Sequence, residues 1–201
     1  MGIMASYIFV GLGNPGVEYE NTRHNTGRIF IEWFGQTHDA EWKHDKKINA
    51  EIAKLKIGSN TVTLVNPDTF MNNSGKAVKL LVDSVKKAER LVVIYDDLDL
   101  PFGAHKISFN KSSGGHRGLE SIIKSIKTEK CARVRIGISP TTPSGKLRKP
   151  QGEDVVMKHI LGKFKPEEML QLKKLSKKVS LALETFMSSG LEKAMTEFNQ
   201  S

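Results

Sequence analysis

Short apolar runs alternate with polar turns along this chain, and the period of each run predicts an element. Tyr7-Ile8-Phe9-Val10 reads as a buried strand that breaks into Gly11-Leu12-Gly13-Asn14-Pro15-Gly16, where glycines and a proline turn the backbone sharply. Residues 27–34 place Ile29, Phe30, Trp33 and Phe34 at helical spacing, with Thr26 as the expected cap. Residues 37–47 are polar and read as loop. Two alternating stretches, 50–57 and 61–65, flank Gly58-Ser59-Asn60 and predict a hairpin. A helix is expected over 75–87 with Ala77, Val78, Leu81 and Val85 inward. The near-continuous apolar run 90–95 is that of a strand covered on both faces, ending in a turn at 96–99.

The rest follows the same logic. Residues 105–109 read as a short edge strand, 116–126 as an amphipathic helix, and 134–138 as the last strand. The stretch 139–152, rich in Pro, Gly, Thr and Lys, is expected to be a mobile basic loop. Residues 153–161 are compatible with a helix. Pro166 opens a long helix to about 186, striped by Met169, Leu172, Leu175, Val179 and Leu183, and a last turn or two runs over 191–198. Strands alternating with helices predict an α/β fold, a mixed and mostly parallel central sheet with helices on both faces. No internal repeat or linker divides it, so residues 1–201 are expected to form one domain, with C-terminal helices over 166–199.

Charge adds a partner class. The formal net charge is +9, which favours a polyanion. Lys106, Lys124, Lys127, Arg133 and Arg135 fall in a basic segment that carries only Glu120 and Glu129 as acids. A single cysteine, Cys131, rules out an internal disulfide framework and reads as a buried thiol. No apolar run is long enough to cross a bilayer, and the amino terminus lacks a basic leader. Met1-Gly2 with Ser6 matches a myristoylation pattern, a match that chance also produces.

Chemistry concentrates in three polar turns, 14–25, 68–74 and 96–99, each following an apolar strand. If those strands lie side by side and parallel, His24, several carboxamides and a carboxylate share one cleft. A histidine oriented by an aspartate can deprotonate water, and carboxamide N–H groups can hold an oxyanion. The bland alternative is that these Asn and Asp residues are ordinary turn and cap residues. Gly11-x-Gly13-x-x-Gly16 also matches the dinucleotide-binding fingerprint, but a dozen polar residues separate it from the helix that the fingerprint requires. Asp96, Asp97 and Asp99 with His24, His105 or His116 could bind a divalent ion, although no His-x-x-x-His spacing supports it.

GLGNPG, TRHNTG, PDTFMNNSGKAV, DDLDLPFG, SSGGHRGLESI and VRIGI, in that order, resemble the bacterial-type peptidyl-tRNA hydrolase family over residues 8–138. The resemblance implies a cytoplasmic or organelle-matrix monomer that needs no cofactor or metal. Such an enzyme cleaves the ester between peptide and tRNA. By position, it implies His24 as the base acting on water, Asp96 as its partner, Asn14 as a substrate contact that helps reject free amines, and Asn72 as a holder of water or the ester carbonyl. Tyr19, Phe70 and Met71 would line the groove for the peptide and terminal nucleotide. Two positions depart from the pattern. Arg117 stands where many members have Asn, so its contact is expected with phosphate or carbonyl rather than water. Ser139-Pro140-Thr141-Thr142 replaces a His-Pro-Gly element. A catalytically silent RNA-binding module is the competing reading.

Overall fold

The computed structural model describes residues 5–199, so the Met1-Gly2 pattern lies outside the described residues. The strands are β1 (Ser6–Gly11), β2 (Lys43–Asp45), β3 (Ala50–Ile57), β4 (Asn60–Pro67), β5 (Leu91–Pro101), β6 (His105–Phe109) and β7 (Ala132–Ser139). They form one seven-stranded sheet in the order β2-β3-β4-β1-β5-β7-β6. The central pairs β4–β1, β1–β5 and β5–β7 are parallel, and the outer strands pair antiparallel. The helices are α1 (Thr26–Thr37), α2 (Ser74–Lys79), α3 (Val85–Ala88), α4 (Arg117–Ile126), α5 (Glu153–Leu161), α6 (Pro166–Ser189) and α7 (Leu191–Phe198).

The period-2 alternation of the strands separates two cores. Phe9 and Val10 are consecutive and fully buried, yet Phe9 belongs to one core and Val10 to the other. Ile29, Phe30 and Phe34 of α1 and Leu172, Val179 and Leu183 of α6 fill the first core, while Val78 of α2 and Leu119 and Ile122 of α4 fill the second. Each such core phenylalanine is worth about 3–5 kcal/mol against alanine. Cys131 is buried in the second core, as expected.

Two glycines set how closely α1 approaches the sheet. A Cβ on Gly27 would collide with the carbonyl oxygen of Ile94, and one on Gly11 would lie 2.5 Å from that of Gly27. This approach brings the segment before α1 down onto the end of β5.

Several expectations are corrected. The presumed loop 37–47 contains β2, a charged edge strand with no apolar alternation to betray it, held to β3 by backbone pairing. The single helix over 75–87 is instead α2 and α3. The chain breaks between them, and the Ser84 hydroxyl caps α3 by accepting from Lys87 N–H at 3.4 Å. Val82 is buried there, whereas Val85, read as inward, is 49% exposed. Residues 96–99 are not a turn, because β5 runs on to Pro101 and Asp96 lies opposite Ile136 of β7. Thr26 begins α1 rather than capping it, and its hydroxyl donates to the Arg23 carbonyl at 2.6 Å. Beyond Ser139 the 139–152 segment is irregular, as its composition predicts, with Thr141 bridged to Leu147 and Lys149 ion-paired to Asp99.

Candidate active site

Because β4, β1 and β5 are neighbours and parallel, the segments after β4 and β1 meet the far half of β5 at one edge of the sheet. After β1 the chain makes two 3-10 turns, Val17–Tyr19 and Arg23–Asn25, before α1 starts. No helix begins at the glycines, so the dinucleotide fingerprint lacks its phosphate-binding helix end. The second of these turns carries His24 above β5.

His24 Nδ1 lies 3.0 Å from both carboxylate oxygens of Asp96. Asp96 is only 4% exposed. A second histidine reaches the same group, with His116 Nε2 at 3.1 Å from Asp96 Oδ1. His116 caps α4, and its Nδ1 accepts from the Leu119 N–H at 3.3 Å. That bond places the His116 ring proton on Nε2, where it donates to Asp96. The carboxylate thus accepts from two imidazoles, and His24, donating through Nδ1, keeps the lone pair on Nε2.

Electrostatics follow from this arrangement. Burial alone would raise the Asp96 pKa, but the two histidines outweigh it and hold the carboxyl well below the usual carboxylate range. Burial disfavours the His24 imidazolium, yet the Asp96 charge and hydrogen bond prevail against it and against the Arg117 guanidinium, so the His24 pKa lies above its ordinary value. Tyr95 packs on His116 with ring centroids 4.8 Å apart. Burial pushes its hydroxyl pKa up to about 12, so it stays protonated.

The carboxamides form a second network. The Asn25 side chain accepts from Asn14 N–H at 2.8 Å and donates to Asn14 C=O at 2.9 Å, gripping that residue's backbone from both sides. Asn14 is buried and its Oδ1 accepts from Met71 N–H at 2.8 Å. Asn14, Asn72, Phe70, Met71 and Arg117 all line one cleft of about 1000 Å³ together with His24. Tyr19 stands beside this lining, edge-on to the exposed Phe70 ring at 6.5 Å. Arg117 reaches across to Glu153 at the start of α5, 3.5 Å away on the surface.

The basic residues separate into three kinds. Lys106, Lys124 and Lys127 are exposed, and Lys124 pairs with Glu120 one helical turn away at 2.6 Å. Arg135 is half-buried and its Nε donates to Asp97. Arg133 is 1% exposed, and its guanidinium donates to the carbonyls of Ser112 and Glu129. A phosphate contact expected for Arg133 is therefore corrected: it shares its face of β7 with Arg135 two residues on, but it is buried and its guanidinium is spent on the Ser112 loop.

His24, Asp96 and His116 also bring three metal-ligating atoms within 4.8 Å of one another, as do His44, Glu51 and Asp68. Sequence spacing could not show this, since each group draws on separate elements. At the first cluster, the Leu119 bond keeps the proton on His116 Nε2, so that nitrogen offers no lone pair to a cation unless the α4 cap breaks. The role of His116 beside Asp96 is not legible in the sequence. Its only signal is a histidine immediately after two glycines and before an amphipathic helix. Arg23 and Asn25, neighbours of His24, carry no sequence signal beyond their place in a polar turn.

A family model described as "Peptidyl-tRNA hydrolase" matches residues 8–201. The peptidyl-tRNA hydrolase of Aquifex aeolicus is 40% identical over 194 residues, covering 96% of each chain. That of Herpetosiphon aurantiacus is 40% identical over 195 residues, covering 96% of this chain and 90% of the relative. The crystal structure of peptidyl-tRNA hydrolase from Acinetobacter baumannii superposes with a TM-score of 0.85 at 29% identity, covering 100% of this chain and 98% of that one. With the motif order, the sheet topology and these matches in agreement, the chain belongs to the peptidyl-tRNA hydrolase family.

Proposed function

We propose that His24 is the general base of the ester hydrolysis that frees tRNA from a peptide, and that Asp96 and His116 prepare it. The carrying observation is the 3.0 Å contact of His24 Nδ1 with both oxygens of a buried Asp96. With Nδ1–H committed to the carboxylate, the Nε2 lone pair is free to take a proton from water. The resulting hydroxide attacks the ester carbonyl and the carbonyl oxygen becomes an oxyanion. The amide N–H groups of Asn72 and Asn14 are the donors we assign to it and to the substrate carbonyl. Collapse expels the ribose oxygen of the tRNA, which takes the proton from the His24 imidazolium. An ester is already activated, so held water and a held oxyanion are sufficient.

In this reading Phe70, Met71 and Tyr19 border the path of the peptide and terminal nucleotide. Lys106, Lys124, Lys127 and Arg135 meet the tRNA backbone, where phosphate contacts supply affinity and register. Arg117 takes a phosphate or carbonyl. Among the described residues no helix is long and apolar enough to cross a membrane. We read the enzyme as a monomer without a cofactor that works where translation does, in the cytoplasm or an organelle matrix. The test is turnover of an N-blocked aminoacyl-tRNA by His24→Ala, with tRNA binding measured separately. Lost turnover with retained binding supports the assignment, and wild-type-like turnover sinks it.

A further inference from the structure

The residue before the base makes a set of contacts for which the reaction itself has no use. Arg23 Nη2 donates to both carboxylate oxygens of Glu168 at 3.0 Å each. Its Nη1 donates to the carbonyls of Gly162 and Lys163 at 3.2 and 3.1 Å. The guanidinium carbon sits 5.1 Å from the centre of the Phe164 ring. The backbones are stitched as well: Arg23 N–H donates to Gly162 C=O at 3.0 Å and Phe164 N–H to Asn21 C=O at 2.8 Å. Glu168 additionally accepts from the Lys165 N–H at 2.7 Å, closing the first turn of α6.

Both side chains are mostly buried, 14% and 22% exposed, so this is a charge-assisted pair, with one guanidinium nitrogen bridging both carboxylate oxygens, in a geometry that water screens poorly. Those two guanidinium nitrogens are committed to protein acceptors, which leaves Arg23 poorly placed to meet an RNA phosphate. The contacts converge on a three-residue 3-10 turn, Arg23–Asn25, which lies outside the sheet and has few bonds of its own. Asn25 fastens one end of that turn to Asn14. Arg23 fastens the other end to the junction between α5 and α6.

We propose that Arg23 and Glu168 are positioning residues for the general base: their clamp fixes the 23–25 turn and thereby holds the His24 ring against Asp96. The inference rests on the reading of His24 as the base. Lysine cannot replace Arg23, because a single ammonium cannot serve a carboxylate edge and two carbonyls in one plane. Glu168 acts at a distance, through Arg23 and through the first turn of α6 that it closes.

The experiment compares Arg23→Lys, Glu168→Gln and the double variant with wild type in the full chain. Substrates are peptidyl-tRNA and a short N-blocked aminoacyl ester of the terminal nucleotide. Misplacing a catalytic group by about 1 Å costs up to roughly a hundredfold, so kcat should fall about tenfold or more on both substrates while KM and tRNA affinity stay within about twofold. The double variant should be little worse than the worse single one, since both changes break the same clamp. In ¹⁵N-histidine spectra, the protonated Nδ1 signal of His24 should weaken in each variant. Unchanged kcat and an unchanged His24 signal, with only a lower Tm, would overturn the proposal and leave the clamp a purely structural tie. Weakened tRNA binding at unchanged kcat would overturn it in favour of an RNA contact. If Arg23→Lys fails to fold, Glu168→Gln carries the test alone. His24→Ala runs beside them: its wild-type-like turnover would remove the base reading itself, whereas an inactive His24→Ala with fully active clamp variants removes only the clamp.

Discussion

Asn14 Oδ1 accepts a hydrogen bond from the backbone N–H of Met71 at 2.8 Å, joining the segment after β1 to the segment after β4. This contact fixes which way the carboxamide faces. Its oxygen is used inside the protein, so its NH₂ is the group left for substrate. Asn14→Asp preserves the acceptor and removes the donor, and should keep Tm within a few degrees while lowering turnover by roughly ten- to a hundredfold. Asn14→Ala should lose turnover and also about 1–3 kcal/mol of stability, because Met71 N–H is left buried without a partner. Thermal melts beside kcat measurements on both variants check this.

Arg117 acts on His24 through charge. Its guanidinium disfavours the His24 imidazolium, so Arg117→Ala should raise the His24 pKa further above its ordinary value. The neutral base is then lost at a higher pH, and the acid limb of kcat/KM should move upward. Arg117→Asn should move it by the same amount yet recover much of the turnover on full tRNA. An Arg117→Asn variant as slow as Ala would show that the guanidinium itself is required. The Glu153 contact is an exposed pair and should add little to stability.

The basic residues should divide by burial. Lys124→Ala combined with Lys127→Ala should weaken tRNA binding and flatten its salt dependence, by about one unit of slope for each phosphate that is no longer neutralised. Hydrolysis of a short ester should barely change. Arg133→Ala should behave differently, since it removes a buried guanidinium and its two charge-assisted bonds to the Ser112 and Glu129 carbonyls. Expected there is a stability loss of about 1–3 kcal/mol with no change in the salt slope once the protein is folded. Salt-titrated binding and denaturant melts separate the two outcomes.

Cys131 is fully buried and its thiol pKa is pushed up by that burial. Thiolate is the reactive form, so alkylation by a small maleimide should be slow in the native protein and fast in denaturant. Rapid native labelling would mean that the second core opens locally.

Much of the fold is legible in the sequence because burial has a period. Tyr7 to Val10 and Leu91 to Tyr95 could only be covered strands, and α1 and α6 declare themselves by their apolar stripes. What the pattern does not show is set by pairing. The β2 strand has no buried face to mark it, and Asp96 looks like a strand breaker because its acceptability depends on two histidines 72 and 20 residues away. The candidate site is legible as three polar segments with the right side chains, although the third is the far half of β5 and not a turn. His116 and Arg23 are not, because a histidine after glycines and an arginine before a histidine acquire their roles only from what stands opposite them. Arg133 misleads for a related reason: it shares a face of β7 with Arg135, and only the Ser112 loop packed over it takes it out of solvent.

The central claim is that Asp96 holds Nδ1–H of His24 and leaves Nε2 as the base. The most direct measurement is the pH dependence of kcat/KM for Asp96→Asn beside wild type on a short ester substrate. Asp96 outweighs burial in setting the His24 pKa above its ordinary value. Without that charge the ring loses its proton more readily, so the neutral form persists to lower pH. The account predicts turnover reduced by roughly ten- to a thousandfold and an acid limb displaced to lower pH. An acid limb that stays where wild type has it would contradict the pairing of His24 with Asp96.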